Sequence, residues 1–182
     1  MGDIIIRYYK KGGRGVVTLG LCLCIVLAVV TLDQLTKIIF MEISATLIPD
    51  LLVLVPKLND GAAFSMLSGE RVFFVVFTVI ALYFMFYLLV TKKWSANNFF
   101  RITLSVMIGG VVGNFIDRMA FGAVRDFIYI PPLGFVCNVA DIAISAACVM
   151  FVIYIFFIRD KEEKAILGIR DYKKVDEGEG EE

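Results

Sequence analysis

An all-α membrane protein with four transmembrane helices and both termini cytoplasmic is the fold class this sequence predicts, and three observations predict it. Hydrophobic residues make up 59% of the 182 residues, Phe alone accounts for 16, and the mean hydropathy is +0.83, values that belong to a bilayer protein. Four stretches, roughly Val16–Thr36, Val72–Val90, Ile102–Ile116 and Val139–Ile158, approach the ~20 apolar residues needed to cross a ~30 Å hydrocarbon layer, the third falling short. The basic residues are unevenly distributed. Arg7, Lys10, Lys11 and Arg14 precede the first stretch, Lys92, Lys93 and Arg101 separate the second from the third, and Arg159, Lys161, Lys164, Arg170, Lys173 and Lys174 follow the fourth. Only Lys37, Lys57, Arg71, Arg118 and Arg125 remain for the other side, so the excess of positive charge puts both termini and the middle connection in the cytoplasm.

Residues 1–15 are therefore expected to be a cytoplasmic segment, 16–158 a four-span domain, and 159–182 a charged, partly disordered cytoplasmic tail. The run from Val16 is read as a first span and not as a cleaved signal peptide, because it is long and lacks an A-x-A-like site. "LGLC", ending at Cys22, has the bulky Leu21 where a lipid-attachment motif wants a small residue. The first external connection, about 38–70, has Leu/Val-rich pieces broken by Pro49, Pro56 and Gly61, which suggests short strands or an amphipathic hairpin. In the second, about 117–137, "VRDFIYI" alternates like a strand and "PPLG" forces a turn before the last span.

Net charge is zero, with 18 basic and 18 acidic residues, so bulk charge does not point to nucleic acid. Cys22, Cys24, Cys137 and Cys148 form neither a CxxC pair nor a zinc spacing. The chain has no histidine, which excludes a Ser-His-Asp triad and an HExxH zinc site.

Acidic and amide residues gather on the external side. Asp33 lies near the outer end of the first span, Asn59 in the first loop, Asn114 and Asp117 at the outer end of the third span, Asp126 in the second loop, and Asn138 and Asp141 at the start of the fourth. Asn114, Asp117 and Arg118 share a helix face, as do Asn138 and Asp141. Lys37, Arg71 and Asp50 are read as snorkelling or surface charges, with Asp33 and Lys37 an interfacial ion pair. Asp126 and Asp141 are different: each interrupts an apolar run with no basic residue adjacent on its own face. Two carboxylates close together in a low dielectric hold one proton between them, so that one activates water while the other protonates a carbonyl oxygen. That is peptide hydrolysis without metal. A Ca²⁺ or Mg²⁺ site built from the same oxygens lacks the one-loop clustering of carboxylates such ions use, so neither metal nor cofactor is expected.

Five fragments, "DQLTK" at 33–37, "NDGAAFS" at 59–65, "GGVVGNFIDRM" at 109–119, "VRDF" at 124–127 and "FVCNVAD" at 135–141, together resemble the lipoprotein signal peptidases, or type II signal peptidases. The resemblance implies an endopeptidase that cleaves diacylglyceryl-modified prolipoproteins before the lipidated cysteine, at the outer face of the bacterial cytoplasmic (inner) membrane. It implies Asp126 and Asp141 as the catalytic pair. Asp33, Asn59, Asn114 and Arg118 are implied to line the site, with Asn138 and Ala140 beside the catalytic position and Asp117 in structural support with Arg118. It further implies a small extracytoplasmic β-cradle, from the first external loop and part of the second, holding extended substrate through main-chain hydrogen bonds. Prolipoproteins and membrane lipid are the implied partners, and the chain is expected to be a monomer. Arg125 and Ile142 depart from the family pattern, as does Asp60, which adds charge near the substrate entrance. Arg125 should alternate away from Asp126, toward solvent or headgroups. The rival reading is a small ion- or proton-coupled transporter using the same carboxylates, against which their interfacial rather than midplane position counts. The GxGD intramembrane proteases also use two aspartates, but their signatures are absent, and a purely structural assembly factor would explain none of the spacings.

Overall fold

The computed structural model describes residues 19–61, 71–91 and 97–159. The expected amino-terminal segment 1–15, the tail beyond Arg159, the middle-connection charges Lys92 and Lys93, and most of the "NDGAAFS" motif lie outside the described residues. The chain divides into two compact units. Residues 17–148 form one; of the other, 1–16 with 149–182, the described part is the helical stretch 149–159.

Among the described residues the order is α1 (Leu19–Phe40), β1 (Ala45–Ile48), β2 (Leu52–Asn59), α2 (Arg71–Val90), α3 (Asn98–Phe121), β3 (Val124–Ile130), a 3-10 turn (Pro131–Leu133), β4 (Phe135–Cys137) and α4 (Val139–Ile153). A π-helical stretch, Tyr154–Arg159, continues α4. Four helical stretches are long and apolar enough to cross a membrane: Leu19–Phe40, Val72–Val90, Asn98–Phe121 and Val139–Arg159. The third is no shorter than the others, contrary to expectation. Its ends carry Asn98, Arg101, Asn114, Asp117 and Arg118, which depress hydropathy, yet half of its most apolar window is buried within the protein. Lipid never meets much of this helix.

Local chemistry sets its limits. The Asn97 side chain accepts from the backbone N–H groups of Phe99 and Phe100 at 2.6 and 3.1 Å, starting α3. Gly122, at φ 77°, takes the left-handed conformation and donates its N–H to the Arg118 carbonyl, ending it. In between, "GGVVG" lets neighbours approach on two sides. A Cβ on Gly109 would sit 2.7 Å from the Val29 Cβ of α1, and one on Gly110 would sit 2.7 Å from the Ala140 carbonyl oxygen of α4. One on Gly113 would meet the Asp33 carboxylate at 2.5 Å. The outward faces of α1 and α2, by contrast, present Leu23, Leu27, Leu35, Phe73, Phe77 and Ile80 as exposed apolar surface suited to acyl chains.

The strands form one antiparallel sheet in the order β1-β2-β3-β4. "VRDFIYI" is β3 from end to end. Its pairing with β2 shifts register between Leu54 and Lys57, where Pro56 has no N–H to donate. Beyond the shift, Lys57 stands opposite Asp126 and Asn59 opposite Val124. Thus one sheet unites the α1–α2 and α3–α4 connections and brings Asn59 beside Asp126.

Candidate active site

Every polar residue named from the sequence as a site candidate falls within the 17–148 unit, and they separate into two groups. The first is an ion cluster. Asp33, Lys37 and Asp117 are all fully buried. The Lys37 Nζ lies 2.8 Å from Asp33 Oδ2 and 3.1 Å from Asp117 Oδ2, and donates to Asn114 Oδ1 at 3.0 Å. Asp117 also takes the Arg125 guanidinium on Oδ1 at 2.7 Å and the Arg125 backbone N–H on Oδ2 at 2.9 Å. Gln34 joins the cluster, donating to Asp33, Asp117 and the Gly113 carbonyl and accepting from Arg125 at 2.7 Å. Asp33 spends its other oxygen on the Ala140 N–H at 2.9 Å, tying α1 to the first turn of α4. Two acids thus face two bases, and the desolvation cost of each is offset by its partners.

Three expectations are corrected here. Lys37 is not a snorkelling charge, because its i, i+4 face with Asp33 points at α3, drawn close by the glycines. Arg125 does alternate away from Asp126, but the inside of that turn is occupied by Asp117, Gln34 and the Phe121 ring, whose centroid is 4.4 Å from the guanidinium carbon, and not by solvent. Asp117 is supported by Lys37 and Arg125; Arg118 instead reaches across to the Gly61 carbonyl at 3.3 Å and lies over the Phe74 ring. Gln34 escaped notice in the sequence, although it stands beside Asp33 in "DQLTK"; an amide within an apolar span was the available signal.

The second group is held by amides. Asp126 receives Asn59 Nδ2 on one oxygen at 3.0 Å and Asn138 Nδ2 on the other at 2.6 Å. Asp141 receives Asn114 Nδ2 at 2.8 Å and the Asn138 backbone N–H at 3.2 Å. The Asp141 N–H returns a bond to Asn138 Oδ1 at 2.9 Å, so the pair also forms a reciprocal cap for α4. Among the described residues neither Asp126 nor Asp141 forms an ion pair. Both line one cavity of about 430 Å³, together with Asn59, Asn114 and Arg118, walled by the apolar Val124, Val136 and Ile144. Burial is the main reason the Asp126 carboxyl is pushed up to about 6; the Asp141 charge adds to it, while the Asn59 and Asn138 bonds and the Lys37 charge oppose it. Cys137, also on the cavity wall, has its thiol pushed up to about 11 by burial and the two aspartates, so at neutral pH it is a protonated wall residue and no nucleophile.

The cavity therefore offers two carboxylates, one of which, Asp126, has its proton affinity raised toward neutral pH by burial, with donors fixing both and a cation, Arg118, nearby. Such a pair can deliver a proton to one atom while removing a proton from another. Ala140 provides backbone only: it is fully buried, and its N–H and carbonyl meet Asp33 and the Gly110 position.

The family model and the curated relatives of this sequence agree on one family. Residues 25–157 match the family model described as signal peptidase (SPase) II. The chain is similar to the lipoprotein signal peptidase of Listeria monocytogenes serotype 4a (strain HCC23), 39% identical over 154 residues that make up 78% of this chain and 96% of that one. It is 33% identical to the lipoprotein signal peptidase of Staphylococcus aureus (strain JH9) over 157 residues, 81% of this chain and 96% of the other. Two solved structures of a bacterial membrane enzyme obtained by the in meso method, at 2.3 and 1.9 Å resolution, superpose with TM-scores of 0.69 and 0.68. They share 32% and 31% identity and cover 80% and 76% of this chain, and 92% and 94% of their own.

Proposed function

The chain belongs to the signal peptidase II family, and from that premise we propose that it is an aspartic endopeptidase whose catalytic pair is Asp126 and Asp141. Its reaction is removal of the signal peptide from prolipoproteins, cut before the lipidated cysteine. The observation that carries the aspartic reading is that these two carboxylates, the buried Asp126 and the half-buried Asp141, face a shared cavity and are met by amides, whereas the buried Asp33 and Asp117 are met by cations. A carboxylate locked to Lys or Arg is a poor base. One held by amides keeps its proton affinity, and the raised Asp126 carboxyl fits that role.

In the proposed reaction the ionised member takes a proton from water as the water oxygen attacks the scissile carbonyl, and the protonated member donates to the carbonyl oxygen. The tetrahedral diol then collapses as the protonated carboxyl gives its proton to the departing amine and the other carboxylate takes one from a diol hydroxyl, which re-forms the carbonyl of the new carboxyl terminus and leaves the pair with its single proton. Asn114, Asn138 and Asn59 hold the two carboxylates through both steps, and Arg118 counters the negative charge of the cavity. Asp33, Asp117 and Ala140 support these residues from behind, Asp33 through the Ala140 backbone and Asp117 through Lys37 and Arg125.

The sheet is read as an extracytoplasmic cradle that holds substrate backbone, with the diacylglyceryl chains left in lipid beside the exposed faces of the helices. Positive charge at the ends and middle of the sequence supports cytoplasmic termini, hence a site on the outer side of the bacterial cytoplasmic membrane. A monomer suffices, since one unit supplies all the residues invoked. The test is turnover of a diacylated prolipoprotein peptide by the purified protein in lipid. Asp126→Asn and Asp141→Asn should each lose roughly 10³-fold or more in kcat with the fold intact; retained turnover in either removes the pair. Chelators should leave the wild-type rate unchanged, and loss with EDTA that a divalent ion restores would replace this reading with a metal-dependent one.

A further inference from the structure

Lys37 is fully buried and serves two carboxylates, yet its third donor goes elsewhere, to the side-chain oxygen of Asn114. We propose that Lys37 is a positioning residue for the reaction: its ammonium, which can only donate, locks the Asn114 amide so that the nitrogen and not the oxygen faces Asp141. The inference rests on the reading of Asp126 and Asp141 as the working pair.

The reasoning is one of hydrogen-bond direction. An amide has a donating end and an accepting end, and turning it over exchanges them. Asn114 lies between Lys37, a pure donor at 3.0 Å, and Asp141, whose carboxylate only accepts, at 2.8 Å. Turned over, Asn114 would set N–H against the ammonium and oxygen against the carboxylate, two repulsive contacts in a buried site. The Asn138 amide adds a second donor to the same Asn114 oxygen at 3.1 Å, and its other N–H reaches Asp126. The Asn138 bond is between neutral groups, however, whereas that of Lys37 is charge-assisted and roughly twice as strong. Lys37 itself cannot drift, being gripped by Asp33 from its own helix and Asp117 from α3. Direction thus passes from the ion cluster to the amides and from the amides to both carboxylates. The charged groups around Lys37 are Asp33 on α1, Asp117 on α3 with Arg125 of β3 bound to it, Asp126 on β3 and Asp141 on α4, and removal of the ammonium leaves this set one positive charge short. Because the Lys37 charge holds the Asp126 carboxyl down, its removal lets that carboxyl rise further.

The experiment compares Lys37→Met, which keeps length and removes donor and charge, with Lys37→Gln, which restores a donor without charge. The assay is peptide turnover between pH 5 and 9, with thermal unfolding measured alongside. Lys37→Met should lower kcat by about 10–100-fold, the range for lost orienting partners, with KM little changed, and should move the acid limb of kcat/KM to higher pH. Lys37→Gln should regain a large part of kcat while keeping the shifted limb. Equal loss in both variants, or wild-type kcat in Lys37→Met, overturns the inference. If Lys37→Met does not fold, the same comparison is made as Lys37→Met/Asp33→Asn against Asp33→Asn alone, in which equal kcat overturns it. Asp141→Asn serves as control: turnover retained there overturns the pair and this inference with it, whereas an inactive control beside an unaffected Lys37→Met overturns this inference alone.

Discussion

Asp117 and Asp126 are nine residues apart, both buried, and yet chemically opposite. Asp117 is wrapped by Lys37, by the guanidinium and backbone of Arg125, and by Gln34. Among the described residues Asp126 takes its hydrogen bonds from the side-chain amides of Asn59 and Asn138. Cations convert a buried carboxylate into a fixed anion, whereas amides hold it in place and leave its proton exchangeable. The contrast separates a group that fastens α1, α3 and β3 together from a pair able to carry out acid–base chemistry, within one small protein and with the same residue type.

Breaking the comparison at its reactive end should have the largest effect. The roughly 10³-fold or greater loss expected of Asp126→Asn in turnover corresponds to about 4 kcal/mol of transition-state stabilisation, measured with no fall in melting temperature. At the locked end the readout is reversed. Asp117→Ala leaves the Arg125 guanidinium without its carboxylate and Lys37 with Asp33 alone, and should cost about 3–5 kcal/mol of stability, seen as a large drop in melting temperature or in denaturant midpoint. A protein that keeps its wild-type melting temperature after Asp117→Ala would show the cluster to be dispensable.

The difference can be sharpened by pH. The Asp126 carboxyl is raised in the folded protein to about 6 from an ordinary value near 3.8, so its protonated form favours folding. The contribution is fully present below the unfolded value and is lost as pH rises through about 6. Asp126→Asn, neutral throughout, should therefore gain on wild type as pH rises from 4 to 7.5, the difference in stability between the two proteins moving by about 2–3 kcal/mol in the variant's favour. Thermal unfolding of both proteins across that range checks the sign. The smallest expected effect is that of Gly113→Ala. A methyl group there meets the Asp33 carboxylate at 2.5 Å, and the overpacking should cost about 1–3 kcal/mol and lower activity through the displaced Asp33–Ala140 bond.

Much of this arrangement was legible in the sequence, where the signals were local. Apolar run length located the four helices, and alternation in "VRDFIYI" gave β3 its limits. The spacing of Asn138 and Asp141 anticipated their shared helix face. Signals that depend on a partner element were not legible. Hydropathy shortened α3 because its polar ends are satisfied by α1, β3 and α4, which a sliding window cannot sense. The Asp33–Lys37 pair was visible as i, i+4, but whether it faced headgroups or a neighbouring helix depended on glycines some 75 residues further along. Arg125 was assigned the right side of its strand and the wrong surroundings, since alternation states that a side chain turns away from its neighbour and not what awaits it there.

The sheet described above has a further consequence for how the enzyme comes into being. Its two central strands come from opposite halves of the chain, and the Asn59–Asp126 bond spans 67 residues, the Lys37–Asn114 bond 77. A ribosome therefore releases α1, the first hairpin and α2 long before the residues that complete the cavity exist. No chain that ends before Asp141 holds both aspartates with their amide donors, so on the proposed assignment of Asp126 and Asp141 the working cavity exists only once synthesis has reached the first turn of α4.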